Sequence, residues 1–205
     1  METSLRQRIF PKPILSGDVR IRFADPYTDC RALFEAANGP DSDLQIWRWM
    51  HWGPFATLDT FEKFMLRVAA DPTGIALTVD LLDENQAWNA VGQLRIMEIS
   101  ENDRRAELGS IWYIPSVQGK GVSRRVTGIL LQHLFETHDF RRIEWKCHHM
   151  NVRSAAAANS YGFTYEGTFR QHMLVKGQNR DTVWFSMLDS EWPSVRADRY
   201  KGILD

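Results

Sequence analysis

Cysteine is scarce in this chain. Cys30 and Cys147 are far apart in sequence and form no ligand-type spacing. That argues against a disulfide scaffold or a thiolate metal centre and fits a reduced, intracellular protein, so no metal is expected. Long apolar runs are missing too. None approaches the ~20 residues of a membrane helix, and Arg6, Arg8 and Lys12 interrupt any signal-peptide core. The expectation is a cytoplasmic protein with no membrane partner. An excess of one charge is also absent, with 25 Lys and Arg against 26 Asp and Glu. A nucleic-acid binder usually shows a strongly basic face, so no nucleic-acid partner is expected. There is no internal repeat and no low-complexity segment. What is present is 205 residues at 43% hydrophobic, consistent with one large domain, and eight tryptophans, an unusually high number. Some of these should line a pocket rather than only fill a core.

The spacing of apolar residues divides the chain. Residues 1–17 carry Pro11, Pro13 and Gly17 and read as an arm. A domain is expected over 18–193 and a charged tail over 194–205. Val19, Ile21 and Phe23 alternate, as in a strand. Asp25-Pro26 opens a helix that Asn38-Gly39-Pro40 ends. A second helix runs from Asp59 to about Ala70, with Thr57 or Asp59 as its cap. Strands at 75–82, 91–99 and 106–114 have short links, which predicts an antiparallel meander. A helix from Val122 comes next, with Val126, Ile129, Leu130 and Leu134 on its inner face. Then come a strand at 141–148, a short helix at 151–161 and a closing hairpin, 163–175 and 182–188, across 176–179. The order gives an α/β (α+β) fold with a mixed, mostly antiparallel sheet of about seven strands flanked by helices.

Between the 106–114 strand and the Val122 helix lies the loop Gln118-Gly119-Lys120-Gly121-Val122-Ser123. A glycine loop entering a helix offers free N–H groups and the positive end of the helix dipole, a setting for a phosphate-bearing ligand. The run GxxxxGK[ST] of a nucleotidase is absent. Gly119 and Gly121 supply only part of a dinucleotide fingerprint. Coenzyme A remains.

Gln118, Gly121 and Ser123 fall at the spacing of the acetyl-CoA signature of the GNAT superfamily, which this chain resembles from about Asp18 to Pro193. Asn151, Ser154, Gly162-Phe163, Glu166-Gly167 and Arg170 are similar to its RimJ/RimL-type branch, and 141–147 and 167–182 resemble an uncharacterised subgroup. The resemblance implies a GNAT-like sheet splayed between its fourth and fifth strands. It implies acetyl-CoA as co-substrate, with Ile111, Trp112, Tyr113 and Ile114 along the pantetheine arm. Gln118, Gly119, Lys120, Gly121, Val122 and Ser123 would cradle the pyrophosphate, and Asn151 and Ser154 would lie beside the arm. Ser123 departs from the usual Gly or Ala.

Acyl transfer from a thioester needs a neutral amine and a stabilised leaving thiolate. Deprotonating an alkyl amine of pKa ~10.4 at pH 7 costs about 4.6 kcal/mol. Glu107, eleven residues before Gln118, is the leading base candidate, with His172 and His148 as alternatives. The tyrosine acid of many superfamily members is replaced by Ala158, leaving Ser154 as the hydroxyl beside the leaving group. Trp47, Trp49, Trp52 and Phe55, with Trp145, are candidates for the wall of a substrate pocket. The expected function is N-acetylation of a primary amine of a small molecule or amino acid by direct attack on the thioester. A protein N-terminal acetyltransferase and a non-catalytic acyl-CoA-binding module are the alternatives, and a homodimer is left open.

Overall fold

In the computed structural model, residues 4–39 and 42–204 are described. Pro40, part of the expected helix stop, lies outside them, as do Asp41 and the ends of the arm and tail. Eight strands form one sheet: β1 (Ile14–Ser16), β2 (Val19–Phe23), β3 (Ile75–Leu82), β4 (Trp88–Ser100), β5 (Arg105–Tyr113), β6 (Arg142–His148), β7 (Thr164–Val175) and β8 (Gln178–Leu188). Their order is β1-β2-β3-β4-β5-β6-β8-β7. The helices are α1 (Leu5–Ile9), α2 (Pro26–Asn38), α3 (Leu58–Ala70), α4 (Val122–Gln132), α5 (Val152–Ser160) and α6 (Trp192–Arg199). Thr57 caps α3 through a capping box with Thr60. Two residues, Lys176 and Gly177, both at positive φ, close the β7–β8 hairpin where a four-residue turn was expected.

One strand pair positions the site. β5 and β6 are parallel and joined only at Arg105↔Arg142, Ala106↔Ile143 and Glu107↔Glu144. Beyond Glu107 both strands continue without pairing to each other, and this is the expected splay. β5 also carries an extra residue against β4, between the pairs Arg95↔Gly109 and Gln93↔Trp112. Ser110 sits in this bulge with φ of 54°. A bulge bends its strand and re-aims the groups beside it, here next to the gap.

Two apolar clusters flank the sheet. The α4 face is buried at Val122, Val126, Ile129 and Leu130 and packs on Leu108 and Ile143; Leu134, in the π-turn that extends the helix, joins it. α2 and α3 enclose the second cluster, in which Trp47 meets Phe55, Phe61 and Trp112 at ring-centroid distances of 5.3, 6.3 and 5.0 Å.

Both ends of the chain are more integrated than their composition predicts. The expected arm forms α1 and the edge strand β1, and buries Ile9 and Phe10 in the first cluster. That strand raises the count from the expected seven to eight. The expected tail supplies most of α6 and then Tyr200, which is fully buried. The Tyr200 hydroxyl donates to the Tyr161 carbonyl at 3.1 Å. Its ring occupies the space over Gly128, where a Cβ would stand 2.5 Å from Cδ1. Tyr200→Ala should therefore lower stability by about 3–5 kcal/mol, the range for truncating a large buried aromatic. Urea denaturation measures it, and a loss under ~1 kcal/mol would show that the C-terminal segment is dispensable to the core.

Candidate active site

The splay separates two cavities that meet at one point. The larger, about 770 Å³, lies between the glycine loop, the end of β5 and α5. The smaller, about 430 Å³, lies against the polar face of β5, β6 and β8 under the segment 46–52. Ile46, Trp49, Ile111, Trp145, Asn151 and Ser154 belong to the walls of both.

The larger cavity has the features of an anion cradle. Gly119 and Gly121 adopt φ of 73° and 81°, and neither has an atom within 4 Å of where a Cβ would stand. Gly121 is the N-cap of α4, and no side chain caps that end. The first N–H groups of the helix are therefore not taken by a capping side chain. Gln118 donates to the Tyr113 carbonyl at 2.9 Å and accepts from Arg153 Nη2 at 3.1 Å, tying the loop to β5 and α5. Arg48, Arg124 and Arg153 stand in the wall, opposed there only by Asp43 among acidic residues described. Burial pushes the ionisation of the Tyr113 phenol far up, with Ser123 opposing it. The hydroxyl that replaces Gly or Ala thus lies near a buried phenol.

Of the residues expected along the donor, Ile111, Trp112, Tyr113, Gln118, Gly119, Gly121, Val122, Ser123, Asn151 and Ser154 line this cavity. Ile114 and Lys120 do not; Ile114 packs against both apolar clusters and Lys120 is exposed. Asn151 caps α5, its Oδ1 accepting from Ser154 N at 3.2 Å. Ser154 Oγ accepts from Trp145 Nε1 at 3.0 Å. Tyr161, offset in sequence from the usual acid position, nonetheless reaches the wall of the larger cavity and packs edge-on against Trp145.

The smaller cavity gathers Glu107, Ser154 and His172. Glu107 is only 8% exposed. Lys146 Nζ lies 2.9 Å from Glu107 Oε2 and 3.0 Å from Glu144 Oε2, and stands 3.9 Å from the centre of the Trp184 ring. Burial raises the Glu107 pKa against the pull of Lys146. Glu144 is also penalised by burial, but the hydrogen bond from Arg142 and the adjacent Lys146 ammonium outweigh that and hold it below the ordinary value. Two carboxylates side by side thus differ in proton affinity because one has two cations and the other shares one. The second oxygen of Glu107 lies over Gly109, 2.9 Å from where a Cβ would be. His172 Nδ1 is 3.0 Å from Thr182 Oγ1. His148 also lines this cavity, with burial and then His149 and Arg180 lowering its pKa.

The aromatic segment divides. Trp52 lines the smaller cavity, and Trp49 and Trp145 line both. Trp47 and Phe55 line neither. Trp47 is fully buried with Nε1 donating to the Ala37 carbonyl at 3.1 Å, and Phe55 packs on Phe61 and Phe64. For these two the core placement replaces the expected pocket wall.

Comparison with known proteins identifies the family. The acetyltransferase (GNAT) domain model matches residues 19–164. The chain belongs to the GNAT acetyltransferase family. It is similar to a GCN5-related N-acetyltransferase from Brucella melitensis, with 31% identity, a TM-score of 0.86, and coverage of 94% of this chain and 85% of that one. It is 26% identical over 178 residues to "Putative ribosomal N-acetyltransferase YdaF" of Bacillus subtilis, covering 85% of this chain and 93% of the relative. In fold it also matches the spermidine N-acetyltransferase of Vibrio cholerae solved with CoA and spermine, at a TM-score of 0.65 and 20% identity, covering 87% of this chain and 99% of that one.

Sequence reasoning missed several acetyltransferase cavity residues: Lys146, Arg180, His51 and Trp184. Glu144, Lys146 and His148 alternate with Ile143, Trp145 and Cys147, a pattern that a solvent-facing strand shows equally well. The three-group contact at Lys146 yields a direct expectation. In Lys146→Met, Glu107 loses the ion-pair partner it has among the described residues and keeps Glu144 as a neighbour. Its titration midpoint should therefore move further up. Carboxyl ¹³C NMR across a pH series reads the midpoint, and an unchanged or lower one would contradict the assignment.

Proposed function

We propose that this acetyltransferase moves the acetyl group of acetyl-CoA to the primary amine of a small molecule or amino acid. The observation that carries the reading is the meeting of the two cavities at the splay. The larger one suits the donor: pyrophosphate at the open N-terminus of α4, pantetheine along the unpaired edge of β5 like an added strand. The thioester then falls near Ser154 and Ile111, and the amine arrives from the smaller cavity. Glu107 takes the amine's proton, directly or through water. Ser154 is the hydroxyl best placed to stabilise the leaving thiolate, since Trp145 already donates to its oxygen and leaves its proton available. Attack is direct and no acyl-enzyme is required. The enclosure of the smaller cavity under Trp49 and Trp52 favours a compact acceptor.

The Bacillus relative's name supports a second reading, acetylation of a protein N-terminus. A non-catalytic acyl-CoA-binding module is the third. Coenzyme A release followed with a thiol reagent across amines, amino acids and N-terminal peptides separates the three. Amine-dependent release is expected with small acceptors. Saturable acetyl-CoA binding without such release would rule out the enzymatic reading.

Two variants test the parts. Gly121→Ala places a side chain in the left-handed region, at about 1–2 kcal/mol, beside the proposed pyrophosphate. It should raise the Kd for coenzyme A by roughly tenfold, and isothermal titration with unchanged affinity would remove the loop from the site. Glu107→Gln should cut turnover by about 10²–10⁴. A base works deprotonated, so activity rises as pH rises through its pKa. Because burial raises that pKa, the acid limb of the pH–rate profile should lie above the ordinary carboxylate range and vanish in the variant. An intact limb in Glu107→Gln would assign the base elsewhere.

A further inference from the structure

Arg180 lines the acceptor cavity without a counter-charge of its own. It is 8% exposed and lies on the cavity side of β8 with Thr182 and Trp184. Nη1 is 3.2 Å from His51 Nε2, and Nε has no partner. Three other shielded cations of the sheet are matched with acids. Arg22 holds Asp29 and Asp80, Arg142 holds Glu144 and Glu166, and Lys146 holds Glu107 and Glu144. No ion pair to Arg180 exists among the described residues. Glu107, the carboxylate whose field it feels, is already bonded to Lys146.

Its neighbours do not fill that role. Burial, and then Arg180 and Lys176, lower the pKa of His51, so the ring is neutral and accepts through Nε2. A guanidinium remains charged in proteins. Buried charges in native structures are paired, and the planar guanidinium fork matches a carboxylate better than any other side-chain-sized anion. Among the described residues the guanidinium makes one hydrogen bond, from Nη1 to His51, so Nε and Nη2 keep their donors.

We propose that Arg180 binds a carboxylate carried by the acceptor, which makes the acceptor a free amino acid. This deepens the proposed acetyl transfer and rests on it. In an α-amino acid the amine and the carboxylate share one carbon. Arg180 and Glu107 line the same cavity, and anchoring the carboxylate at Arg180 would offer the amine to Glu107. The side chain then meets Trp49, Trp52, Met50 and Met97, which favours an apolar or aromatic one. A peptide N-terminus presents a neutral carbonyl where the carboxylate would be. A diamine presents a second ammonium group, which Arg180 repels.

The test uses the purified full chain with phenylalanine, phenylalaninamide and phenethylamine as acceptors. The first carries the carboxylate, the second mimics a peptide N-terminus and the third has neither group. Binding of N-acetylphenylalanine and its amide, measured by titration calorimetry with CoA present, gives a readout independent of turnover. The expected result is a kcat/KM for phenylalanine ten- to a hundredfold above the other two, on the order of a charge-assisted hydrogen-bond pair. The same preference should appear in binding. Arg180→Gln should bring both ratios near one, and Arg180→Lys, keeping charge but not the fork, should retain part of them. Equal or faster acetylation of the two carboxylate-free amines by the unmodified enzyme would overturn the carboxylate site and leave acetyl transfer standing. Carboxylate-selective binding without CoA release from any acceptor would do the reverse. Absence of both would remove both.

Discussion

Lys146 lies between Glu107 and Glu144 where β5 and β6 part, and the site depends on that contact. The two glutamates are the last directly opposed residues of the parallel pair. Without a cation, two carboxylates facing each other in a buried sheet would repel. Lys146 lies within 3.0 Å of both, so the strands stay joined up to this point. Past it β5 bulges toward β4 and β6 pairs only with β8, and the gap opens. The charge cluster therefore marks the end of the pairing and places a carboxylate of raised proton affinity at the fork. Removing one partner of such a buried group generally costs about 3–5 kcal/mol, so this chemistry and the geometry of the sheet cannot be separated.

The two sides of the fork differ in kind. On the proposed donor side most of the surface is backbone: the left-handed glycines, the first N–H groups of α4 and the unpaired edge of β5. Such groups can hold a phosphate and an extended chain with little dependence on side-chain identity. On the proposed acceptor side it is side chains: Trp49 and Trp52, the Lys146 cluster and Arg180. That division explains how a shared fold can keep one donor while its acceptors differ.

The same division accounts for how much of the protein is legible in its sequence. Gly119 and Gly121 are tied to their conformation by steric necessity, and apolar periodicity fixes α4 directly after them, so the loop can be read residue by residue. The order of strands and the splay come from the resemblance that the loop supports. The acceptor side is less legible. Trp47 and Trp49 are two residues apart and chemically identical, yet one donates to Ala37 inside a core and the other faces the cavity. Trp47 ends a short 3-10 helix, Leu44–Trp47, and only the turn of the chain after it decides between them. Arg180 falls before the expected strand at 182–188, and its burial and its contact with His51 are not encoded in periodicity. Ile9, Phe10 and Tyr200 belong to segments too short to show a period, which is why the ends of the chain read as loose.

The unpaired edge of β5 links the two cavities, and the proposed chemistry requires it to hold the donor. Amide hydrogen exchange along residues 108–113, with and without saturating acetyl-CoA, tests that requirement directly. Exchange should slow both there and at residues 122–124 when the donor is bound, because pantetheine takes the free backbone groups of the edge. Protection at 122–124 with none along 108–113 would place the donor's arm outside the splay and contradict the account.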